Sequence, residues 1–234
     1  MSLAEFSCRV LENSMPHYDF AKLYDPANGL TCHFVPVNDT TNDLVEPVRD
    51  MFVASMKNFG YVGFSHKIDN MFHNRSTYVY ITEATKMIMT CRVTPRPVGT
   101  IVPFEMGVRE DGGSYQLNEE EPIVDINTYT YIRGYYEKAM PLLASGLGYY
   151  VKTCNARRAY CLYDVRNEKI KRAYLSIGFV ISNRFPELIH FPTFCRQTGD
   201  HLEPVRWRVM EWDDETIENH ARTAVERYEF VKDA

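Results

Sequence analysis

Basic charge is in short supply in this chain. Lys and Arg number 26 against 31 Asp and Glu, giving a net charge of -5 and a pI near 5.8. Neither nucleic acid nor an anionic membrane is therefore expected as the main partner. Long hydrophobic runs are missing as well: no stretch approaches the ~18–20 apolar residues that span a bilayer. Met1-Ser-Leu-Ala-Glu5 has neither the basic nor the apolar region of a secretory signal. The six cysteines, at positions 8, 32, 91, 154, 161 and 195, form no C-x-x-C pair. His17, His33, His66, His73, His190, His201 and His220 show no ligand spacing, so no metal is expected. The cysteines read as small core residues of a reduced, cytoplasmic protein rather than as disulfides or zinc ligands. No repeat or low-complexity linker divides the chain.

What is there suffices for one substantial core, since 45% of the 234 residues are hydrophobic. Residues 1–29, polar and turn-rich, read as an N-terminal arm, and 30–234 as a single domain. Leu30–Val37 reads as the first strand, and a polar turn at 38–43 leads into a helix over Leu44–Phe59. The stripe of that helix is Val45, Val48, Met51, Phe52, Ser55, Met56 and Phe59. Tyr61–Phe72 reads as a loop and a short second helix. Ser76–Thr82 and Lys86–Thr94 form a hairpin, with Pro95, Arg96 and Pro97 ending its second strand. Val108–Pro122 is the most loop-like stretch, and Ile123–Ile132 resumes as a strand. Pro141 interrupts the next helical stretch, so Arg133–Ala139 and Pro141–Asn155 are two helices or one kinked one. Near the end, Val205–Trp212 alternates as a strand. Asp213 or Asp214 then caps a helix with the stripe Ile217, Ala221, Ala224, Val225 and Tyr228.

The densest information lies in residues 158–179. Arg158–Val165 reads as a buried strand, and Asn167 is suited to cap the helix that follows. Ile170, Ala173, Tyr174 and Ile177 share one face of it, Gly178 supplies a left-handed C-terminal cap, and Phe179–Ser182 opens another strand. Asn167, Ile170, Tyr174, Gly178 and Phe179 together resemble the C-terminal half of the GNAT acyltransferase fold, with Ile where an Ala is usual. The resemblance implies an α+β fold of α/β type, a central splayed mixed sheet covered by helices. It is best over 30–182, with a strand and helix over 205–230 closing the domain.

A second resemblance narrows the branch. Arg92-Val-Thr-Pro95 at a strand end, the loop with Val102-Pro-Phe-Glu105, and the strand after Pro122 are laid out as in acyl-homoserine-lactone synthases and long-chain N-acyl amino acid synthases. Asp125-Ile-Asn-Thr128 departs from the Glu-x-Ser-Arg of the lactone synthases, which speaks against lactone formation while leaving N-acyl transfer standing.

The resemblance implies transfer of an acyl group, a fatty one, from a thioester to a small amine such as an amino acid or a derivative of one. The donor's pantetheine arm would lie between strands 123–132 and 158–165, with main-chain N–H groups at Tyr129, Thr130, Tyr131 and Ile132 for its carbonyl. Arg133, Gly134 and Asn167 would flank it. Tyr174, a phenol of pKa near 10, would protonate the leaving thiolate. Asp125 or Glu105 would take the proton of the amine. Structural roles compete for the same residues: Tyr174 as a core aromatic, Asn167 as a plain helix cap, Asp125 as a structural or solvated strand residue. Coenzyme-A-binding members usually carry Arg/Gln-x-x-Gly-x-Gly/Ala, whereas this chain has Arg133-Gly-Tyr-Tyr136. An acyl carrier protein donor is therefore favoured over acyl-coenzyme A. Its docking face would be Arg133, Arg157, Arg158, Lys169, Lys171 and Arg172. The alternatives are an acetyl-coenzyme-A-dependent N-acetyltransferase and a GNAT-like domain that binds a ligand without catalysis.

Overall fold

Runs rich in Val, Ile, Thr and Tyr favour strands, and they supply most of the framework. The computed structural model describes residues 22–37, 41–62, 72–96, 101–117, 121–192 and 194–231, with the side chains of Asn42 and Leu44 set aside. Its strands are β1 (Lys22–Asp25), β2 (Leu30–Pro36), β3 (Tyr61–Val62), β4 (Thr77–Glu83), β5 (Lys86–Arg96), β6 (Val108–Arg109) and β7 (Ile123–Tyr131). There follow β8 (Arg158–Asp164), β9 (Val180–Ile181), β10 (Ile189–His190), β11 (Cys195–Thr198), β12 (His201–Pro204), β13 (Trp207–Trp212) and β14 (Glu229–Val231). The helices are α1 (Asn42–Asn58), α2 (Tyr136–Thr153), α3 (Glu168–Ser176) and α4 (Asp214–Arg227).

Eleven strands form a mixed sheet in the order β14-β1-β2-β4-β5-β7-β8-β13-β10-β6, with β9 on β13; β12-β11-β3 form a second, small sheet. In the large sheet every described pairing is antiparallel except that of β7 with β8. A parallel pair needs a crossover, and α2 provides it. Alternation along the strands assigns the two faces. Cys32, Phe34, Val79 and Ile81 share one core with α2, α3 and α4 residues such as Leu147, Tyr174 and Ile217. Tyr78, with Val35 and Tyr80 beside it, packs on Val45 and Val48 of α1 on the other face. α2 and α4 pack closely at Gly148, where an added Cβ would lie 2.3 Å from the His220 Cβ.

The longer strands and helices follow the order read from the sequence, but β6, β10, β11 and β12 are additional to that reading, and β14 follows the helix expected to close the domain; other departures have local causes. Residues 22–29, read as part of an arm, are a strand and turn of the sheet. Asp25, 4% exposed, closes that turn by accepting from Ala27 N at 3.0 Å and Asn28 Nδ2 at 2.8 Å. β5 does not stop at Thr94 but continues through Pro95 to Arg96. Burial of Arg96, which donates to Glu121 O at 2.9 Å and pairs with Glu105 at 3.5 Å, draws the strand end inward. α2 runs unbroken through Pro141, because Ala139 to Val151 bury one whole side of it. Residues 61–62 are strand β3, while 1–21 and 63–71, with most of the expected second helix, lie outside the described residues.

Candidate active site

Pairing of β7 with β8 covers only Ile123–Ile126 against Arg158–Cys161, and beyond Ile126 the two strands part. The cause is in β7. Asn127 lies opposite Arg92 and Thr130 opposite Thr90, so Thr128 and Tyr129 together face the single Cys91. Thr128 has φ 55°, a left-handed conformation that a β-branched residue rarely adopts. This is a β-bulge, which bends its strand and increases the local twist. Past the bulge, Ile132 N–H donates to Ile88 O at 2.8 Å. Alternation then puts the Thr130 N–H on that same side, toward β5, and those of Tyr131 and Tyr129 toward the gap. Of the four expected main-chain donors, Thr130 and Ile132 are therefore committed to the sheet.

A cavity of about 180 Å³ opens at the parting. Arg92, Asn127 and Leu162 line it from the α1 face of the sheet, and Ile170 and Tyr174 from the α3 face, so it passes through the gap. Phe52, Ser55, Met56 and Phe59 of α1 form one wall, and Tyr61, Phe191, Phe194 and Trp207 close one end.

Tyr174 reaches this cavity because α3 is pinned at both ends. Asn167 Oδ1 accepts from Ile170 N at 3.2 Å at the N-terminus. At the C-terminus Gly178 N donates to Leu175 O and Phe179 N to Tyr174 O, both at 3.1 Å. That is a Schellman motif, and Gly178 has the positive φ, 88°, that it requires. The apolar contact that accompanies such a motif is here Phe179 on the Tyr174 ring, with centroids 5.4 Å apart. Tyr129 packs on the other side at 5.7 Å. Tyr174 is 3% exposed, and among the described residues its hydroxyl has no hydrogen-bond partner. Burial first, then the neighbouring Cys161 and Tyr129, holds that phenol well above its ordinary pKa, so it stays protonated.

Asp125 is 1% exposed and does not line the cavity; Asn127 stands between them, donating its Nδ2 to Asp125 Oδ1 at 2.5 Å. Burial raises the Asp125 carboxyl to about 6, against the opposing effects of the Asn127 hydrogen bond and the Arg92 charge. Glu105 is a correction to the sequence reading. Its Oε2 accepts from Val102 N at 2.8 Å and its Oε1 from Leu117 N at 3.1 Å, with Arg96 beside it. Both oxygens are spent on shaping the 102–117 segment, and the residue lies off the cavity. Of the expected donor-binding residues, Tyr129 and Asn167 line the cavity, while Thr130, Tyr131, Ile132, Arg133 and Gly134 do not. Tyr136 ties the start of α2 to α3 through Ser176 Oγ at 2.5 Å, and Tyr135 donates to Glu83 Oε2 at 3.0 Å between Lys86 and Lys138.

Sequence reasoning missed Asp164 and Tyr61. Asp164, at the end of β8, is 3% exposed; it accepts from Tyr61 OH at 2.6 Å and from Arg166 N at 3.0 Å, and it is paired with Arg196 of β11. Arg196 also lies over the Tyr61 ring at 4.8 Å. Burial, followed by the Asp164 hydrogen bond, raises the Tyr61 hydroxyl. This cluster clamps the small sheet onto β8 at the cavity's aromatic end. It joins residues 61, 164 and 196 across the chain, and no local pattern signals it. The lower half of the α1 stripe was legible as apolar but not as cavity wall.

No family model and no curated protein sequence matches this chain. Solved structures do resemble it. The N-acyl amino acid synthase FeeM, from uncultured soil microbes, superposes with a TM-score of 0.53 at 10% identity, covering 84% of this chain and 97% of that one. Mycobacterium smegmatis RimJ in complex with CoA-disulfide gives 0.49 at 12% identity over 91% and 96%. Spermidine N-acetyltransferase of Vibrio cholerae with CoA and spermine gives 0.48 at 10% identity over 80% and 98%. The fold is thus the GNAT-like α+β fold that the motif from Asn167 to Phe179 implied.

Proposed function

We propose that this GNAT-fold chain is an N-acyltransferase that moves a fatty acyl group from a pantetheine thioester to a small amine. The observation that carries the reading is the cavity through the β7–β8 gap, with Tyr174 on its wall, the hydroxyl protonated and without a hydrogen-bond partner among the described residues, and with a strand edge beside it that no described strand pairs. The pantetheine arm lies along the free edge of β7, where the N–H groups of Tyr129 and Tyr131 receive the thioester carbonyl. The amine nitrogen attacks that carbonyl carbon; a C–N bond forms, the C–S bond breaks, and the amine gives up one proton. Tyr174 delivers a proton to the departing thiolate, leaving a free thiol and an amide. Asp125, behind Asn127, is the carboxylate that receives the amine's proton through water.

Apolar walls from Phe52, Met56 and Phe191 suit a fatty chain better than an acetyl group. The tied-down tyrosines at the start of α2 replace a glycine loop for a pyrophosphate, which favours acyl carrier protein as donor. The test is direct: purified protein is incubated with dodecanoyl carrier protein or dodecanoyl-coenzyme A and a panel of amines. Thiol release and mass spectrometry of the products are the readouts, with lipid extracts of overproducing cells as the search for the natural product. N-acylated amine with stoichiometric thiol is expected. Absence of thiol release with every pair would leave a ligand-binding domain, and turnover with acetyl-coenzyme A alone would leave an ordinary acetyltransferase.

A further inference from the structure

Among the described residues three other than glycine have a positive φ, and two of them have ordinary reasons for it. Ala84, at 51°, sits in the short turn between the paired Glu83 and Lys86, and tight hairpins ask for left-handed backbone. Asn155, at 52°, follows the end of α2, and Asn visits that conformation more readily than most residues with a Cβ. Thr128, at 55°, differs on each point. It lies inside a strand, its side chain is branched at Cβ, and it lines the cavity. A glycine would hold the same bulge without the steric penalty. Nor does the hydroxyl offset the strain through the fold, for among the described residues it makes no hydrogen bond. Strain of this kind clusters where a side chain takes part in chemistry.

Position says what the part is. Thr128 directly precedes Tyr129, whose N–H faces the gap. A hydroxyl and an N–H on consecutive residues can donate to a single oxygen, since a carbonyl oxygen has two lone pairs. We infer that the Thr128 hydroxyl is a second donor to the thioester carbonyl oxygen, a role that rests on the acyltransferase reading above. As the amine adds to the carbonyl carbon, the π electrons of the C=O bond move onto that oxygen. The hydrogen bonds from Thr128 and from the Tyr129 N–H strengthen on the growing charge. When the C–S bond breaks, those electrons return to form the amide carbonyl. Thr128 keeps its proton throughout; the one that reaches the thiolate comes from Tyr174. The bulge fixes both donors before the substrate arrives, and such preorganisation is the source of their strength.

The experiment separates binding of the carbonyl from turnover. S-dodecanoylpantetheine and its thioether S-dodecylpantetheine, which lacks the carbonyl, are titrated into the full chain by calorimetry without an amine. Thr128→Val keeps the branched shape and loses the hydroxyl. It should bind the thioester about 2–10-fold more weakly than wild type, the range for a neutral hydrogen bond, and the thioether unchanged. Thr128→Ser, which keeps the hydroxyl, should bind both as wild type does. Thr128→Gly should show the same loss for the thioester yet melt about 2–4 °C above wild type, because the left-handed penalty is gone. With a working donor and amine, Thr128→Val should lower kcat by about 10²-fold. Equal affinity of wild type, Thr128→Val and Thr128→Gly for the thioester overturns the inference. A Thr128→Gly protein that melts below wild type overturns it too, since the side chain would then serve the fold. Thiol release by wild type that is indifferent to Thr128→Val keeps the acyltransferase reading and sinks this role. A hydroxyl-dependent affinity for the thioester, in a protein that releases no thiol from any donor, keeps the carbonyl site and sinks the acyltransferase reading, so the two failures are distinct.

Discussion

At the scale of single residues, Tyr174 and Asp125 are the two to which the proposed mechanism gives proton-transfer roles, and each can be set against a purely structural one. Among the described residues the Tyr174 hydroxyl spends no hydrogen bond on the fold, and its ring is held by Phe179 and Tyr129. Tyr174→Phe should therefore leave the melting temperature within a degree or two of wild type while lowering kcat by roughly 10²-fold, with the donor KM little changed. Full activity in that variant would return Tyr174 to the core aromatics. Asp125 makes a pH prediction. Its folded pKa, about 6, lies above the unfolded value, so between about pH 4 and 6 the native state holds a proton that the unfolded chain releases. Stability should therefore fall as pH rises through that window and level off above it. Asp125→Asn removes the buried charge, so its advantage over wild type should grow from near zero at about pH 4 to roughly 2–3 kcal/mol above pH 6.5. Urea denaturation of both proteins across that range is the measurement, and parallel curves would show that Asp125 carries no such cost. Residue types alone could nominate Asp125 and Glu105 equally. What divides them is that Glu105 meets two backbone N–H groups, which depends on how the 102–117 segment folds back on itself.

Elements were legible where the pattern was local and illegible where it depended on distant partners. The Asn167 cap, the Gly178 turn and the Phe179 contact all lie within thirteen residues, and α3 forms as its sequence demands. Gly178→Ala should cost about 1 kcal/mol or more, since φ is 88° and the added Cβ meets Thr216 Cγ2 at 3.0 Å. The pairing of α2 with α4 is the opposite case, for nothing near Gly148 announces that His220 will lie against it. Gly148→Ala puts a Cβ 2.3 Å from the His220 Cβ and 3.1 Å from Ala221 N, and rigid neighbours of that kind cannot swing aside. The expected loss is about 2–3 kcal/mol or more, read by chemical denaturation. A Gly148→Ala protein as stable as wild type would mean that the two helices slide apart at little cost. Likewise Pro141 reads as an interruption on its own, yet the buried side of α2 overrides it. The β7 bulge was beyond reading, because a Thr in a left-handed conformation has no sequence signature, and it is this bulge that makes the slot.

At the scale of the whole molecule, the proposed donor would have to reach the slot of a protein whose net charge is -5. Acyl carrier proteins are acidic, so a carrier-bound donor needs a local basic face. Around the slot, Arg158 is already engaged by Glu121 at 3.4 Å and Glu211 at 3.8 Å, and Lys171 pairs with Glu168 of its own helix at 3.4 Å. Arg133, Arg157, Lys169 and Arg172 remain exposed, the last two on α3, which also carries Tyr174. A carrier docked there would have its pantetheine arm beside the free edge of β7. Such docking acts through long-range charge; it speeds encounter and fades with salt, because the screening length is about 8 Å at physiological ionic strength. Lys169→Glu with Lys171→Glu should accordingly raise the apparent KM for dodecanoyl carrier protein several-fold at low salt, and the difference from wild type should shrink as salt is added. The KM for dodecanoyl-coenzyme A should change much less, since that donor brings no acidic protein surface. Equal losses with both donors would place the two lysines at the slot itself rather than on a docking face. No loss with either, in a protein that uses the carrier-bound donor, would move the docking face away from α3.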